Sequence, residues 1–176
     1  MNHSVNIPTV ITISRILIIP IFILITTANP FVGAVVFAIA SATDLLDGYL
    51  ARKQKKITKL GILLDPIADK LLVISALIML VDMAIVPAWI AIIIILREFL
   101  VTGLRIVALS RNMVIPAESG GKVKTVAQVI SILVLLIDRT SFNMDLYGIG
   151  IGILIIAMII GIFSGIRYFI VFWRRL

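Results

Sequence analysis

The sequence predicts an all-α, polytopic membrane protein with six transmembrane helices, and three observations support this fold class. Of the 176 residues, 61% are hydrophobic, and the mean hydropathy is +1.21, whereas a soluble domain contains about 45–50% apolar residues. Apolar runs long enough to cross a hydrocarbon core of about 30 Å recur along the chain. Short segments with Pro, Gly, Asn or charged residues separate these runs, as turns require. We therefore expect a single membrane domain over residues 1–176.

These separators divide the chain into six spans. The spans cover residues 9–27, 31–52, 61–82, 85–111, 122–138 and 146–171. The connections between spans 1 and 2 and between spans 3 and 4 contain no Lys or Arg, whereas the connection from Arg52 to Lys59 is strongly basic. Cytoplasmic loops carry the excess of Lys and Arg in membrane proteins. Both termini and the basic connections are therefore predicted to lie on the cytoplasmic side of the cell membrane.

The charge and cysteine content exclude several classes of protein. The net charge is +7, which in a soluble protein would suggest a nucleic-acid partner. Here the basic residues lie at the ends of apolar runs, which favours anionic lipid or an anionic substrate and no nucleic acid. The chain has no cysteine, so disulfides, thiol nucleophiles and thiolate metal sites are excluded. His3 is the only histidine, and we expect it to be a surface residue.

Four aspartates lie within two of the predicted spans. Asp44 and Asp47 are three residues apart in the second span, and Asp65 and Asp69 are four residues apart in the third. Residues at these spacings share one face of a helix. The short basic connection predicts that the two helices are antiparallel neighbours. Their polar faces are therefore expected to meet and to bring four carboxylates together at the cytoplasmic side.

Four carboxylates at membrane depth indicate bound cations. Like charges in a partly dry site repel one another unless protons or cations intervene. Oxygen ligands without His or Cys favour Mg²⁺, Mn²⁺ or Ca²⁺. Two such ions a few Å apart suit phosphoryl transfer. Gly48 and Gly61 lie on the same two faces and leave room for a ligand close to the backbone. The alternative, helix caps and solvated aspartates, does not account for four carboxylates on two converging faces.

The aspartates belong to a longer pattern that resembles a known signature. Residues 44–69 read D-L-L-D-G-Y-L-A-R, eight further residues, then G-I-L-L-D-P-I-A-D. This is similar to the CDP-alcohol phosphatidyltransferase signature D-x2-D-G-x2-A-R-x8-G-x3-D-x3-D, and all eight of its fixed positions match. Members of that family displace CMP from a CDP-linked lipid or alcohol with an acceptor hydroxyl. The resemblance implies the same reaction here, in a homodimer.

The resemblance also implies roles for individual residues. Metal ions, Mg²⁺ or Mn²⁺ and two in number, would bind to Asp44, Asp47 and Asp65. Asp69 would be the general base and could also contact the second ion. The CDP-lipid would lie along a set of neighbouring residues, namely Thr43, Gly48, Ala51, Arg52 and Gly61. Arg suits phosphate oxygens because its guanidinium binds them through two hydrogen bonds. Ser41 and Thr43 lie near the motif without a base at a nucleophile spacing, so they are expected to pack or to contact the nucleotide.

Basic residues in spans 4 and 5 indicate an acceptor with a phosphate group. The candidate residues are Arg105, Lys122, Lys124 and Thr125. Lys122 and Lys124 cannot point the same way on one helix, so one of them could simply extend to the membrane surface. Arg97 and Glu98 are expected to form a structural pair.

Further segments resemble one branch of the family, the phosphatidylglycerophosphate synthases. These segments are "NIPTVITISRILIIPIF", "REFLVTGLR", "GKVKT" and "SGIRYF", with Thr9 where the branch usually has Asn. The implied reaction joins CDP-diacylglycerol and sn-glycerol 3-phosphate to give phosphatidylglycerophosphate and CMP. Inositol phosphate, serine and phosphatidylglycerol remain alternative acceptors, although a phosphate-binding pocket argues against serine.

Two alternative functions belong to other classes of protein. Carboxylates within a membrane are typical of ion pathways, so a divalent-cation transporter is an alternative. All four aspartates lie near one face, however, and the outer half offers no matching polar column. A structural scaffold would leave the eight-position match unexplained. In the sixth span, two Gly-xxx-Gly pairs, at 148/152 and 161/165, predict close helix packing, either within the subunit or between subunits.

Overall fold

The computed structural model of the chain contains six α-helices in the residues that it describes. It describes the backbone of residues 7–51, 59–111, 119–138 and 146–174, and the side chains of these ranges apart from 7–15, 44–51, 59–69, 109 and 119–122. The helices are α1 (Ile7–Ala28), α2 (Pro30–Ala51), α3 (Lys59–Asp82), α4 (Ala88–Ser110), α5 (Ser119–Asp138) and α6 (Tyr147–Trp173). Each coincides with a predicted span to within a few residues. The all-α prediction is therefore confirmed for the described part of the chain.

A single residue connects α1 to α2 and makes them an antiparallel pair. The Asn29 side-chain Oδ1 accepts hydrogen bonds from the backbone N–H groups of Phe31 (3.0 Å) and Val32 (3.3 Å). Asn is a favoured residue before a helix, and Pro30 suits the first helical position because its missing N–H has no partner there. The Phe22 and Phe37 rings lie 5.8 Å apart, and α1 packs along α2.

A tight turn joins α3 to α4. Ala84 has a φ of 56°, in the left-handed region. The backbone N–H groups of Ile85 and Val86 both donate to the carbonyl of Leu80, at 2.9 and 3.1 Å. A left-handed residue with such returning hydrogen bonds ends a helix by satisfying its last carbonyls. The turn places Pro87 directly before α4.

The chain divides into two compact units, Met1–Met79 and Leu80–Leu176. In the second unit, α6 packs against both α4 and α5. The buried apolar residues of this unit include Ile90, Ile94, Ile132, Leu135, Leu154 and Ala157. The Asp138 carboxylate accepts a hydrogen bond of 2.8 Å from the backbone N–H of Leu146, the residue immediately before α6. That bond ties the end of α5 to the start of α6.

Large apolar side chains cover much of the exposed surface. Leu24 is 71% exposed, Phe163 69% and Trp173 68%. By length and composition, one helix among the searched, described residues is long and apolar enough to cross a membrane, namely α6 (Tyr147–Trp173). Shorter apolar stretches occupy Ile16–Ala28 and Pro30–Thr43. Six helices are confirmed, whereas six membrane crossings and the orientation of the termini stay predictions.

Candidate active site

The motif aspartates occupy two helices of the first unit. Positions 44 and 47 lie in the last two turns of α2, and positions 65 and 69 lie in the first half of α3. Because both segments are continuously helical, each pair shares one helix face, as the spacing predicted. The side chains of all four aspartates lie outside the described residues, so their convergence stays a prediction.

The other residues of the motif have similar positions. Gly48 and Ala51 belong to the final turn of α2, and Gly61 belongs to the first turn of α3. Arg52 lies outside the described residues. The donor set offers only carboxylate oxygens, which fits a hard divalent cation such as Mg²⁺ or Mn²⁺. The helical spacing is compatible with that chemistry, since each helix presents its two carboxylates within about one turn.

Two hydroxyl residues lie just before the motif on α2, and they differ from each other. Thr43 is exposed, and its Oγ1 donates to the Ile39 carbonyl at 2.8 Å. Ser41 is only 8% exposed. Its Oγ has no hydrogen-bond partner among the described residues. From the sequence, both residues were predicted to pack or to contact the nucleotide. The sequence does not distinguish them, because burial depends on three-dimensional packing.

The second unit contains a buried ionic cluster. Glu98 on α4 is 6% exposed and Lys124 on α5 is 3% exposed. The Lys124 ammonium forms an ion pair with Glu98 Oε1, and the Arg97 guanidinium donates to the same oxygen at 2.9 Å. Arg97 and Glu98 were predicted to form a structural pair, and the contact is present. The sequence did not show that Lys124 joins them from another helix.

Helix α6 completes this cluster. Arg97 Nε donates to the Gly161 carbonyl at 2.7 Å, and Arg97 Nη2 donates to Ser164 Oγ at 3.3 Å. A Cβ at Gly165 would lie 3.4 Å from Arg97 Nε, and one at Gly161 would lie 3.7 Å from it. Both are ordinary van der Waals distances, so the Arg97 side chain packs against α6 at these two glycines. We call Arg97, Glu98, Lys124, Gly161 and Ser164 the Glu98 cluster.

The predicted acceptor residues are in different surroundings. Lys124 is buried in the Glu98 cluster and does not extend to the surface. Arg105 and Thr125 are exposed. The Lys122 side chain lies outside the described residues. The structure thus distinguishes Lys124 from Arg105 and Thr125, while the role of each candidate in binding an acceptor stays a prediction.

The two predicted Gly-xxx-Gly pairs of α6 behave differently. Gly161 and Gly165 contact the Arg97 side chain, as described above. A Cβ at Gly148 or Gly152 would meet no described atom within 4 Å. The close approach near the start of α6 occurs instead at Gly150, where a Cβ would lie 2.7 Å from Leu135 Cγ. Ser131 Oγ also donates to the Gly150 carbonyl at 2.7 Å. The expectation of close packing at 148/152 is therefore not met within the described chain.

Comparison with known proteins supports the family indicated by the motif. The profile of the CDP-alcohol phosphatidyltransferase family matches residues 5–166. A Bacillus subtilis protein named CDP-diacylglycerol–glycerol-3-phosphate 3-phosphatidyltransferase is 42% identical, with 97% of each chain covered. Proteins of the same name from Rickettsia bellii and Haemophilus influenzae are each 39% identical, covering 96% and 93% of this chain and 96% and 91% of their own. This chain belongs to the CDP-alcohol phosphatidyltransferase family.

Proposed function

We propose that this protein transfers a phosphatidyl group from CDP-diacylglycerol to sn-glycerol 3-phosphate, forming phosphatidylglycerophosphate and CMP. The observation that carries the proposal is the 42% identity, over 97% of both chains, to a relative named for this reaction. All eight fixed positions of the motif are also present between Asp44 and Asp69. Family membership favours an enzyme over a cation transporter.

The proposed chemistry is a direct displacement at the β-phosphorus of CDP-diacylglycerol. The C1 hydroxyl of glycerol 3-phosphate attacks that phosphorus, and a new P–O bond forms. The bond to the bridging oxygen breaks, and CMP leaves with that oxygen. Asp69 takes the proton of the attacking hydroxyl, since a carboxylate within hydrogen-bond reach can act as general base.

Asp44, Asp47 and Asp65 are proposed to hold two divalent ions, Mg²⁺ or Mn²⁺, with Asp69 contacting the second. When bound, such ions supply positive charge that stabilises the phosphoryl oxygens and the departing CMP. Thr43, Gly48, Ala51, Arg52 and Gly61 are proposed to bind the CDP-lipid. The Thr43 hydroxyl keeps its acceptor capacity, because its hydrogen is directed to its own helix.

The acceptor's phosphate group is proposed to bind the basic residues of the second unit. Arg105, Lys122, Lys124 and Thr125 are the candidates. The purified protein, supplied with CDP-diacylglycerol and each acceptor in turn, tests this choice. We expect the highest turnover with glycerol 3-phosphate, and lower turnover with inositol phosphate, serine or phosphatidylglycerol. Higher turnover with inositol phosphate would overturn the proposed acceptor and leave the family unchanged.

The Asp69→Asn variant tests the general base. We expect turnover to fall by about 10²–10⁴-fold, the usual contribution of a general base, while CDP-diacylglycerol still binds. Asp82→Asn is the matched control, because Asp82 is an exposed carboxylate at the end of the same helix. Steady-state release of CMP gives turnover, and calorimetric titration gives lipid binding. Full activity in Asp69→Asn would contradict the assignment.

We also propose that all six helices cross the cell membrane, with both termini and the active site on the cytoplasmic side. The chain has no cysteine, so each introduced cysteine is the only thiol. In sealed, right-side-out vesicles, a membrane-impermeant thiol reagent should label Asn143→Cys and should not label Lys56→Cys. The reverse pattern would invert the proposed orientation. The proposed homodimer is checked by light scattering of the purified protein.

A further inference from the structure

The Ser41 hydroxyl is a buried polar group with no partner among the described residues. Ser41 lies in α2, its side chain is more than nine-tenths buried, and its Oγ accepts and donates no hydrogen bond there. Leaving a buried hydroxyl unpaired costs free energy, and nearly all such groups in folded proteins are paired. An unpaired group that persists in a well-packed helix is therefore a candidate contact for a ligand.

Other hydroxyl groups in the same unit donate a hydrogen bond to a backbone carbonyl of their own helix. Thr26 Oγ1 donates to the Phe22 carbonyl at 2.6 Å, and Ser75 Oγ donates to the Leu71 carbonyl at 2.7 Å. Thr43, two residues beyond Ser41, does the same with Ile39. A helix always offers such a carbonyl one turn earlier. Ser41 differs from all three because its Oγ makes no such hydrogen bond within the described chain.

The described side chains of the neighbouring helix α1 near the level of Ser41 are all apolar. Phe22 faces Phe37, and Thr26 lies against Gly33, so α1 and α2 run antiparallel in a defined register. In that register Ser41 is level with Ile18. Every residue of α1 from 16 to 24 is apolar. The partner that the hydroxyl requires does not come from these described residues of α1.

The position of Ser41 relative to the motif indicates which ligand it could meet. Ser41, Asp44 and Gly48 fall on one face of α2, because they are separated by three and four residues. At about 1.5 Å per residue, Ser41 lies roughly 4.5 Å from Asp44 along the helix axis. It lies on the side toward the start of α2, which in the proposed topology is toward the membrane interior.

We propose that Ser41 donates a hydrogen bond to an ester carbonyl oxygen of the lipid donor, and so selects an ester-linked diacylglycerol. This inference rests on the proposed function, which places the diphosphate at the aspartates. The acyl chains must remain in the bilayer, so the glycerol esters lie on the interior side of the diphosphate. Their carbonyl oxygens only accept hydrogen bonds, and a serine hydroxyl with a free hydrogen is the complementary donor.

Two donors of equal chain length test the proposal: CDP-diacylglycerol, and CDP-dialkylglycerol, whose ether links lack the carbonyl oxygens. For the unmodified protein we expect kcat/KM to be about tenfold higher with the ester, the size of one hydrogen bond. Ser41→Ala should lose that factor with the ester and change little with the ether. Ser75→Ala is the matched control, and it should keep the full ester preference.

Thermal stability separates this role from a structural one. Because the Ser41 hydroxyl makes no hydrogen bond to a described residue, the Ser41→Ala variant should unfold at the same temperature as the unmodified protein or at a higher one. Ser41→Cys keeps nearly the same volume with a weaker donor and should show an intermediate ester preference; it serves as the second variant if Ser41→Ala expresses poorly. An unchanged ester-to-ether ratio in these variants would overturn the inference. Absence of transfer from either donor in the unmodified protein would instead overturn the proposed function.

Discussion

Two buried polar sites in this molecule have opposite characters. In the Glu98 cluster, carboxylate, guanidinium, ammonium, hydroxyl and backbone carbonyl satisfy one another across α4, α5 and α6. At Ser41 in α2, a single hydroxyl is buried with no partner among the described residues. A polar group that is hydrogen-bonded within its own protein, a closed site, stabilises and orients the helices. A buried polar group that lacks such a bond, an open site, is better explained by a molecule that binds there.

The two sites carry different amounts of charge for a physical reason. Buried ionised groups are costly unless paired, so two cations require the Glu98 carboxylate. A neutral hydroxyl costs far less when it is left open. Burial between helices without a hydrogen-bond partner therefore costs little free energy at Ser41 and would cost much more at Lys124.

The largest expected effect comes from removing the shared carboxylate. In Glu98→Leu, Arg97 and Lys124 lose their common acceptor, and breaking a buried ion pair from one side typically costs about 3–5 kcal/mol. We expect a corresponding loss of stability against thermal unfolding in detergent micelles. The double variant Glu98→Leu/Lys124→Met removes both partners and should recover a large part of that loss. If Glu98→Leu unfolds like the unmodified protein, the cluster does not stabilise the second unit.

A smaller effect is expected at the packing contact that holds the α1–α2 register. A Cβ at Gly33 would lie 2.9 Å from the Thr26 Cα, a backbone atom that cannot move aside easily. Gly33→Ala should therefore destabilise the protein by about 1–3 kcal/mol, as overpacking does. At Gly152 an added Cβ meets no described atom within 4 Å, so Gly152→Ala should gain about 0.5–1 kcal/mol from helix propensity.

Comparing the unfolding temperatures of these two variants checks the register. Equal shifts in the two would show that α1 and α2 do not approach as closely at Gly33 as the structure indicates. Because Ser41 depends on the same register, Gly33→Ala is also expected to weaken the preference for an ester-linked donor.

The smallest expected effect comes from the same substitution, serine to alanine, made once in the Glu98 cluster and once at Ser41. Ser164→Ala removes the hydroxyl that accepts from Arg97 Nη2 at 3.3 Å, and should cost about 0.5–1.5 kcal/mol. Ser41→Ala removes a hydroxyl that makes no hydrogen bond to a described residue, and should not lower the free energy of unfolding. Urea or thermal titration of both variants gives the two differences under identical conditions. A loss at Ser41 as large as the loss at Ser164 would remove the distinction between a closed and an open site.

Much of the fold was predictable because the pattern is local. Helix limits such as Asn29 followed by Pro30 follow from capping chemistry, which needs only neighbouring residues. The family was predictable for the same reason, since eight fixed positions at defined spacings form a long motif. The structure adds the helical continuity of positions 44–51 and 59–69 but leaves their side chains outside the described residues.

Contacts between helices were less predictable. The Gly-xxx-Gly pair at 148/152 predicted close packing, yet the close approach occurs at Gly150, against Leu135. A helix face rich in small residues can pack on any neighbour, because the faces around it are almost equally apolar. Lys122 and Lys124 were equivalent candidates in the sequence, and only the position of Glu98 distinguishes Lys124.

The amino-acid sequence alone indicates that this chain is helical, is apolar enough for a membrane, and carries the signature of the CDP-alcohol phosphatidyltransferases. These properties depend on composition, helical period and residue spacing, all of which act along the chain. The packing of the helices was needed to show that Lys124 is ion-paired to Glu98, that Arg97 packs at Gly161 and Gly165, and that Ser41 is buried without a partner among the described residues. The physical reason is that burial and pairing depend on which side chains of other helices come within a few Å, and helical period alone does not specify them.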